Sequence, residues 1–247
     1  MSGLRSAAGL ARSLIIYYSR PHRIGRTGRF YSQFAGPGDV VFDIGGHVGN
    51  RSRALRRTGA KVVTLEPQPL FYRFLKRTLP ADITVLPLAV GPRNGASSMS
   101  VSSLHPTVSS LRADIGSAVK GDAGFDAVVW DETTEIEMTT LDALIADHGA
   151  PAFIKIDVEG FEDQVLAGLS RPVCALAFEF LPSMPDVAEA CIARLENLGR
   201  YEFNLMTGER LQFLSPGWVD GAAIRRLVAA TIDEGRSGDV YARRATV

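Results

Sequence analysis

The chain has 247 residues, of which 46% are apolar and 22% charged, and this composition is typical of an ordinary globular domain. No stretch reaches the ~18 consecutive apolar residues of a membrane-spanning helix, and the first residues lack the apolar core and cleavage site of a secretory signal. The two cysteines, Cys174 and Cys191, lack C-x-x-C spacing, so we expect free thiols in a reducing compartment and a cytoplasmic protein.

The formal net charge is zero, but the charges are unevenly distributed. Residues 1–77 carry 14 Lys or Arg against 3 Asp or Glu, and the remaining residues carry 13 against 24. A basic half of this kind can bind an anionic partner such as a nucleic acid. The alternative, which we prefer, is a compositional bias in which the two halves neutralise each other in the fold.

Residues 1–36 precede the predicted core and should form an N-terminal helix and a cap segment. Apolar residues at helical spacing predict an amphipathic helix over residues 4–18. The basic and aromatic segment 20–34 shows no clear periodicity. We expect it either to cover the mouth of a site or to pack as a plain connector.

From residue 37 onward, short apolar runs alternate with amphipathic stretches, as in a parallel sheet covered by helices. The predicted strands are 40–44, 61–65, 83–90, 152–156, 173–178, 201–206 and 240–243. The predicted helices are about 51–58, 69–79, 161–169, 186–198 and 221–232, and threonines at 139 and 140 should cap one more. This pattern predicts a three-layer α/β sandwich on a mostly parallel, seven-stranded sheet.

Residues 93–138 interrupt the alternation and are rich in Ser, Gly, Asp and Thr. We predict an inserted β-hairpin with strands at 97–101 and 134–138 and a flexible middle at about 109–124. The insertion is too short for a second domain. Residues 37–247 are therefore predicted to form a single domain.

The turn after the first predicted strand carries the most specific signal, because residues 43–50 read D-I-G-G-H-V-G-N. Three glycines within five positions allow the backbone to adopt φ > 0 and to approach a ligand closely. No frame supplies the G-x-G-x-x-G of a dinucleotide site. The spacing present, Asp43-x-Gly45-x-x-x-Gly49, resembles the first motif of class I S-adenosylmethionine (SAM) methyltransferases.

Carboxylates stand at the ends of four predicted strands, namely Asp43, Glu66, Asp157 with Glu159, and Glu179. Ligands of an open α/β sheet bind beyond the carboxyl ends of its strands, so we expect these five side chains to share one edge. Like charges at such an edge repel unless a cation lies among them. A pyrophosphate would add to the repulsion, whereas the sulfonium and ammonium groups of SAM, or a divalent metal ion, would relieve it.

Each of these residues also has a structural interpretation. Asp43 could bond the amides of its own turn, and His47 could be a packing residue. Asp157 and Glu159 could stabilise the start of the following helix through its dipole. Glu66 fits the acid that holds ribose hydroxyl groups in nucleotide-binding folds.

Four segments together are similar to FkbM-type SAM-dependent methyltransferases: V-F-D-I-G-G-H-V-G-N, T-L-E-P-Q-P, T-T-L-D-A-L and F-I-K-I-D-V-E-G-F-E-D-Q-V-L-A-G-L. The resemblance runs from about residue 38 to residue 180. It implies a Rossmann-like sheet whose last strand is antiparallel. It also implies methyl transfer, usually to oxygen, on sugars, polyketides and similar small molecules.

The resemblance places SAM on Asp43, Gly45, Gly49 and Glu66. An acid or amide near the adenine is common in SAM enzymes, but the run Leu88, Ala89, Val90 and Gly91 offers none. The full predicted cofactor site comprises the two acids and the turn, that is, Asp43, Gly45, Gly46, His47, Gly49, Asn50 and Glu66.

Asp157 and Glu159 are the predicted catalytic residues. An alcohol must lose its proton to accept a methyl group, which calls for a general base or a Lewis acid. Asp157 and Glu179 could bind Mg²⁺ through oxygen. Without a metal ion, Asp157 would act as the base or as a positioning group.

The predicted function is therefore methyl transfer from SAM to a hydroxyl group of a small molecule, the expected partner. One alternative is an NAD-linked oxidoreductase on the same topology, which the missing glycines and the acidic edge disfavour. The other is a non-enzymatic binder of nucleic acid or another anionic ligand through residues 1–77, which lacks the signature of a known binding module. We expect no membrane partner, and a homo-oligomer is compatible with the sequence.

Overall fold

A computed structural model describes residues 9, 10, 14, 22–105, 108–120, 125, 127–208 and 210–245. The helix predicted over residues 4–18 lies outside the described residues except at positions 9, 10 and 14, and so do residues 121–124 of the predicted insertion. Within the described ranges, no helix is both long and apolar enough to cross a membrane. Cys174 is exposed and Cys191 is buried, and both are free thiols.

The described chain alternates helices and strands. The helices are α1 (His22–Tyr31), α2 (Asn50–Arg56), α3 (Pro69–Thr78), α4 (Ile115–Ala118), α5 (Leu141–His148), α6 (Glu162–Ala167), α7 (Pro185–Leu198) and α8 (Gly221–Asp233). The strands are β1 (Val40–Ile44), β2 (Lys61–Leu65), β3 (Thr84–Leu86), β4 (Leu88–Val90), β5 (Gly95–Val101), β6 (Glu132–Thr139), β7 (Phe153–Ile156), β8 (Ala175–Phe180), β9 (Tyr201–Met206) and β10 (Gly238–Arg244).

Seven strands form the main sheet in the order β3-β2-β1-β7-β8-β10-β9. Strand β10 is antiparallel to both of its neighbours, and the other adjacent pairs are parallel. This confirms the predicted mostly parallel, seven-stranded sheet with an antiparallel last strand. The direction in which strands are added reverses between β1 and β7, so the ligand crevice of this fold opens beyond their carboxyl ends.

The core lies on both faces of the sheet, because successive side chains of a strand point to opposite sides. Phe42 and Ile154 belong to the apolar cluster under α5 to α8, whereas Val41 and Phe153 belong to the cluster under α1 to α3. All four side chains are completely buried. Strands β1 and β7 therefore form a rigid centre that fixes whatever follows their last residues.

The prediction of one strand over residues 83–90 is wrong. Strand β3 belongs to the main sheet, whereas β4 belongs to a second sheet of order β4-β6-β5. Pro87 separates them, and proline has no N–H to continue a ladder. The predicted hairpin is confirmed, since β5 and β6 pair antiparallel from Gly95↔Met138 to Val101↔Glu132.

The described middle of the insertion packs against the domain, contrary to the flexible segment that we expected. Ser110 pairs with Ser100 next to the hairpin. Ile115 and Val119 are buried in the main core. Small polar residues in this segment suggested a loop, but its few apolar residues are the ones that anchor it.

Residues 20–34 contain a helix, α1, which the sequence analysis missed. Phe34 stacks on Phe153 with ring centroids 4.8 Å apart. A Cβ on Gly28 would lie 3.0 Å from Ala54 O, so this glycine permits close contact between α1 and α2 rather than ending a helix. None of the described residues of α1 lies in the wall of the cavity described below, and the choice between a cap and a connector stays a prediction.

Candidate active site

The glycine turn is tied to the strands on both sides of it. The N–H groups of Gly45 and Gly46 both donate to Leu65 O, at 3.0 and 2.9 Å. Gly45 has φ 87°, and a Cβ there would lie 1.9 Å from Asp157 O. Only glycine lets the end of β1 pass this close to the end of β7.

A cavity of about 1240 Å³, including its open mouth, lies beyond the carboxyl ends of β1, β2, β7 and β8. Its wall includes Gly45, His47 and Asn50 of the predicted cofactor site. Met99, Ser109 and Leu111 of the insertion also line the cavity.

Glu66, directly after β2, is a predicted cofactor residue whose carboxylate is buried in the cavity wall and fixed by backbone hydrogen bonds. It is only 3% exposed, and its Oε1 and Oε2 accept the N–H groups of Gln68 and His47 at 2.9 and 2.8 Å. Burial raises the pKa of Glu66 to about 7 although both N–H bonds act to lower it. Each carboxylate oxygen retains a lone pair, which suits the two adjacent hydroxyl groups of a ribose.

His47 takes part in the wall in two ways. Its N–H fixes Glu66, and its ring lies edge-on to Phe71 at 4.5 Å, so the packing role that we considered is also present. Burial lowers the pKa of His47 to about 4, so the ring is neutral at pH 7.

Asp43 lies behind the cavity wall rather than in it. It is 1% exposed, and its Oδ2 accepts Ser52 Oγ of α2 at 2.5 Å. Burial raises the pKa of Asp43 to about 6 against this hydrogen bond and the charge of Lys155. Gly46 and Gly49 also lie outside the wall. Asp43, Gly46 and Gly49 therefore contribute to the conformation of the turn without lining the cavity.

The remaining carboxylates stand side by side on one face of the sheet. Ile156 pairs with Phe178, so Asp157, one residue further, lies beside Glu179, and Glu179 pairs with Asp239 of β10. Asp239 was missed by the sequence analysis. The signal was available, because an antiparallel last strand brings its first residues to the edge where the other strands end.

Lys155 lies directly beneath this row and was also missed. It is completely buried, and its Nζ lies 2.8 Å from Asp239 Oδ1 and 3.5 Å from Asp157 Oδ2 and donates to Ile156 O at 3.0 Å. Burial lowers the pKa of Lys155, but the two carboxylates raise it more, so the ammonium stays charged. The signal was a lysine within the otherwise apolar strand F-I-K-I.

Asp157, Glu159 and Glu179 converge, with one carboxylate oxygen of each within 4.8 Å of the others. Burial raises the pKa of Asp157, but Lys155 and Arg51 lower it more, and its pKa lies below the ordinary value. Burial and the charge of Asp157 hold the pKa values of Glu159 and Glu179 well above theirs.

The helix-dipole interpretation of Asp157 and Glu159 does not hold, because α6 starts only at Glu162, and its first-turn acids are Glu162 and Asp163. Glu159 has φ 56°, and its carbonyl accepts Ser110 Oγ at 2.8 Å. The insertion thus holds the backbone at Glu159.

A protein-family model, the methyltransferase FkbM domain, matches residues 43–228. The chain belongs to the FkbM methyltransferase family. This confirms the resemblance carried by the four sequence segments, and SAM is the cofactor that the family implies. No curated protein matches the chain significantly.

Solved structures with a similar arrangement are distant in sequence. Precorrin-6y C5,15-methyltransferase from Geobacter metallireducens GS-15 is 11% identical with TM-score 0.44, covering 87% of this chain and 86% of that one. A TehB-like SAM-dependent methyltransferase from Corynebacterium glutamicum is 12% identical with TM-score 0.43, covering 89% and 87%. A predicted O-methyltransferase from Agrobacterium tumefaciens is 15% identical with TM-score 0.44, covering 89% and 81%. None of these likenesses bears on the acceptor.

The residues of this FkbM-family cavity fit SAM. Glu66 can accept two ribose hydroxyl groups, and Gly45 lines the cavity where the ends of β1 and β7 approach each other closely. The carboxylates beyond Gly45 suit sulfonium and ammonium charges. Leu88, Ala89 and Val90 offer an apolar wall next to Glu66.

Proposed function

We propose that this FkbM-family protein transfers the methyl group of SAM to a hydroxyl group of a small molecule such as a sugar or a polyketide. The observation that supports this proposal is the convergence of Asp157, Glu159 and Glu179 within 4.8 Å. Lys155 is 3.5 Å from one member of the trio only, Asp157. The cluster therefore combines one anchored carboxylate with two that face the cavity without a lysine partner of their own among the described residues.

The cofactor and the acceptor divide the cavity between them. SAM supplies a methyl group on a positively charged sulfur, which is already strongly electrophilic. Glu66 and the glycine turn hold the cofactor end, and the insertion residues Ser109 and Leu111 face the acceptor end. Binding of the cofactor and the acceptor in one cavity excludes water. It also aligns the hydroxyl oxygen of the acceptor with the bond between the sulfur and the methyl carbon.

The acceptor must lose its proton as the new C–O bond forms. Asp157, fixed by Lys155, accepts a hydrogen bond from a second, neighbouring hydroxyl group of the acceptor and so orients the molecule. Glu159, whose backbone is held by Ser110, lies next to it and receives the proton. Asp157 thus positions and Glu159 acts as the base, which divides the two predicted catalytic roles between neighbours.

Mg²⁺ at this cluster stays a prediction. Carboxylate oxygens are ligands that Mg²⁺ prefers, and two ligands of one ion can be at most about 4.2 Å apart. The oxygens of the trio, within 4.8 Å, would need only small side-chain rotations. If chelation with EDTA abolishes turnover and Mg²⁺ restores it, the metal is required. Unchanged turnover would leave Asp157 and Glu159 to work without one.

Two experiments test the proposed function. Thermal shift and calorimetry with SAM, S-adenosylhomocysteine (SAH), NAD and an oligonucleotide should show binding of SAM and SAH alone; a ligand at 100 times its Kd adds about 2.7 kcal/mol. Incubation with methyl-labelled SAM should then label alcohols but not matched amines in an acceptor panel, and Glu159→Gln should abolish labelling without loss of SAH binding. Binding of NAD instead, or labelling of amines alone, would refute the proposal.

Location in the cytoplasm, the absence of membrane and nucleic-acid partners, and any homo-oligomer stay predictions from the sequence. The oligonucleotide arm of the titration tests one of them directly. Size-exclusion chromatography with light scattering tests the last.

A further inference from the structure

Arg51 is the residue of the cavity wall to which neither the sequence motifs nor the proposed mechanism gives a role. It stands in the first turn of α2, directly after the glycine turn, and is half-buried. Among the described residues that line the cavity it is the one Arg or Lys. The same wall carries five carboxylates, namely Glu66, Asp157, Glu159, Glu179 and Asp239.

The guanidinium group of Arg51 acts on one side of the cavity. Burial is the largest influence on the pKa values of Asp157, Asp43 and Tyr241, and Arg51 opposes it in all three by favouring the negatively charged form. Asp157 directly follows β7, Asp43 lies near the end of β1, and Tyr241 lies within β10. Glu66 responds to other groups, namely the N–H bonds from Gln68 and His47 and the charge of Asp43. Arg51 shares the cavity wall with Asp157, Glu159 and Glu179, and its charge acts on Asp157.

The charges of SAM explain why one cation belongs in this wall. The molecule carries a sulfonium, an ammonium and a single carboxylate, and the carboxylate lies at the end opposite the adenosine. The row of acids suits the two positive groups. It repels the negative one, so a carboxylate can be accommodated here only beside a positive side chain.

We propose that Arg51 binds the carboxylate of the methionine moiety of SAM. A guanidinium group is planar and can donate two parallel N–H bonds to a carboxylate, which a lysine cannot match. The inference rests on the proposed use of SAM and adds a residue to its recognition. It also assigns a selectivity, because a ligand without the carboxylate would gain nothing from Arg51.

The test compares two ligands on four proteins by calorimetry. The ligands are SAH and its decarboxylated form, S-adenosyl-3-thiopropylamine, which differ only in the carboxylate. The proteins are the wild type, Arg51→Met, Arg51→Lys and the control Arg53→Met. Arg53 lies in the same helix but outside the wall, and its guanidinium group bonds Thr78 O.

We expect Arg51→Met to weaken SAH binding by about 10- to 100-fold, the usual value of a hydrogen bond to a charged group. The affinity for the decarboxylated ligand should stay within about twofold, since that ligand makes no such bond. Arg51→Lys should recover part of the loss, and Arg53→Met should leave the preference for SAH unchanged.

Equal losses for the two ligands, or no loss for SAH, would overturn the inference. If Arg51→Met fails to melt cooperatively, the wild type decides alone: equal affinity for SAH and its decarboxylated form overturns the assignment, and a clear preference for SAH supports it. A wild type that binds neither ligand would refute the proposed use of SAM, which is a separate outcome.

Discussion

The carboxylates on the β1–β2 side of the cavity and those on its β7–β8–β10 side are held by different kinds of partner. On the β1–β2 side, Glu66 accepts two backbone N–H groups and Asp43 accepts the hydroxyl group of Ser52. On the β7–β8–β10 side, Asp157, Glu159, Glu179 and Asp239 face one another around Lys155. Neutral N–H and hydroxyl donors hold the carboxylates of the β1–β2 side, whereas buried Lys155 pairs with Asp157 and Asp239 on the other side.

This difference separates binding from chemistry. Two ionised carboxylates within 4.8 Å of each other would repel by roughly 3 kcal/mol or more at an effective dielectric constant of 20, and this repulsion, together with burial, raises the pKa values of Glu159 and Glu179. In the β7–β8–β10 half, a positively charged ligand therefore relieves the repulsion between carboxylates. In the β1–β2 half, the charge of the ligand adds nothing to its binding. We expect substitutions in the β1–β2 half to weaken the binding of every adenosine ligand alike. The effect of substitutions in the β7–β8–β10 half should depend on the charge of the ligand.

The largest effect is expected where the two halves meet. In Gly45→Ala the new Cβ would lie 1.9 Å from Asp157 O at a residue with φ 87°, so β1 and β7 must separate. We expect no measurable SAH binding by calorimetry and a clearly lower Tm. Gly36→Ala is the control, because a Cβ there meets nothing within 4 Å. Normal SAH binding by Gly45→Ala would show that the turn need not be so tight.

Removal of the positive charge should destabilise the β7–β8–β10 half. Lys155→Met leaves the carboxylates of Asp157 and Asp239 without their partner, and breaking a buried ion pair from one side costs about 3–5 kcal/mol. Urea unfolding measures this loss. Adding Asp239→Asn should recover much of it, whereas Lys61→Met, at the exposed start of β2, should change little. A loss below about 1 kcal/mol would mean that the cluster is not held by Lys155.

The difference between SAM and SAH binding distinguishes the two halves in variants that should keep the fold. SAM is positively charged at sulfur and SAH is not, so Asp157→Asn should weaken SAM by about 10- to 100-fold and SAH far less. Glu66→Gln should weaken both ligands equally, because they share the ribose. Competition binding gives both constants. An equal loss of SAM and SAH in Asp157→Asn would contradict the assigned role of the β7–β8–β10 half.

The smallest expected effect is a pH dependence of SAH affinity through Glu66. Its pKa is raised from 4.5 to about 7 by burial, and ribose hydroxyl groups donate to the ionised form. Affinity should therefore be highest above pH 7 and fall by about tenfold per unit below it, where the group is protonated. Stability of the free protein changes in the opposite direction, since what a raised pKa contributes is present below pH 4.5 and lost as pH rises through about 7.

Glu66→Gln is the control for this pH dependence, because it should remove the fall in affinity between pH 8 and pH 6. Asp43, whose pKa is raised to about 6 by burial, stays unchanged in that variant. A fall that persists in Glu66→Gln would assign the pH dependence to Asp43 or another group.

The sequence predicted the parts of the site that depend on neighbours in the chain. The glycine turn and Glu66 follow their strands directly, so strand ends and spacing were enough. Lys155 and Asp239 were missed because only acids at the carboxyl ends of predicted strands were considered, whereas Lys155 lies within β7 and Asp239 near the start of β10. The helix α1 was missed because Gly25 and Gly28 hide its pattern, although Gly28 serves close helix packing.

The position of β10 between β8 and β9 has a consequence for how the protein is made. Domains fold as their chains emerge, amino terminus first, so Lys155 is synthesised long before the strand that carries Asp239. Until β10 inserts, the ammonium group lacks the carboxylate that lies at 2.8 Å in the folded protein, and the edge of β8 is unpaired. The row of carboxylates around Lys155 is therefore complete only when β10 has been synthesised and inserted into the sheet.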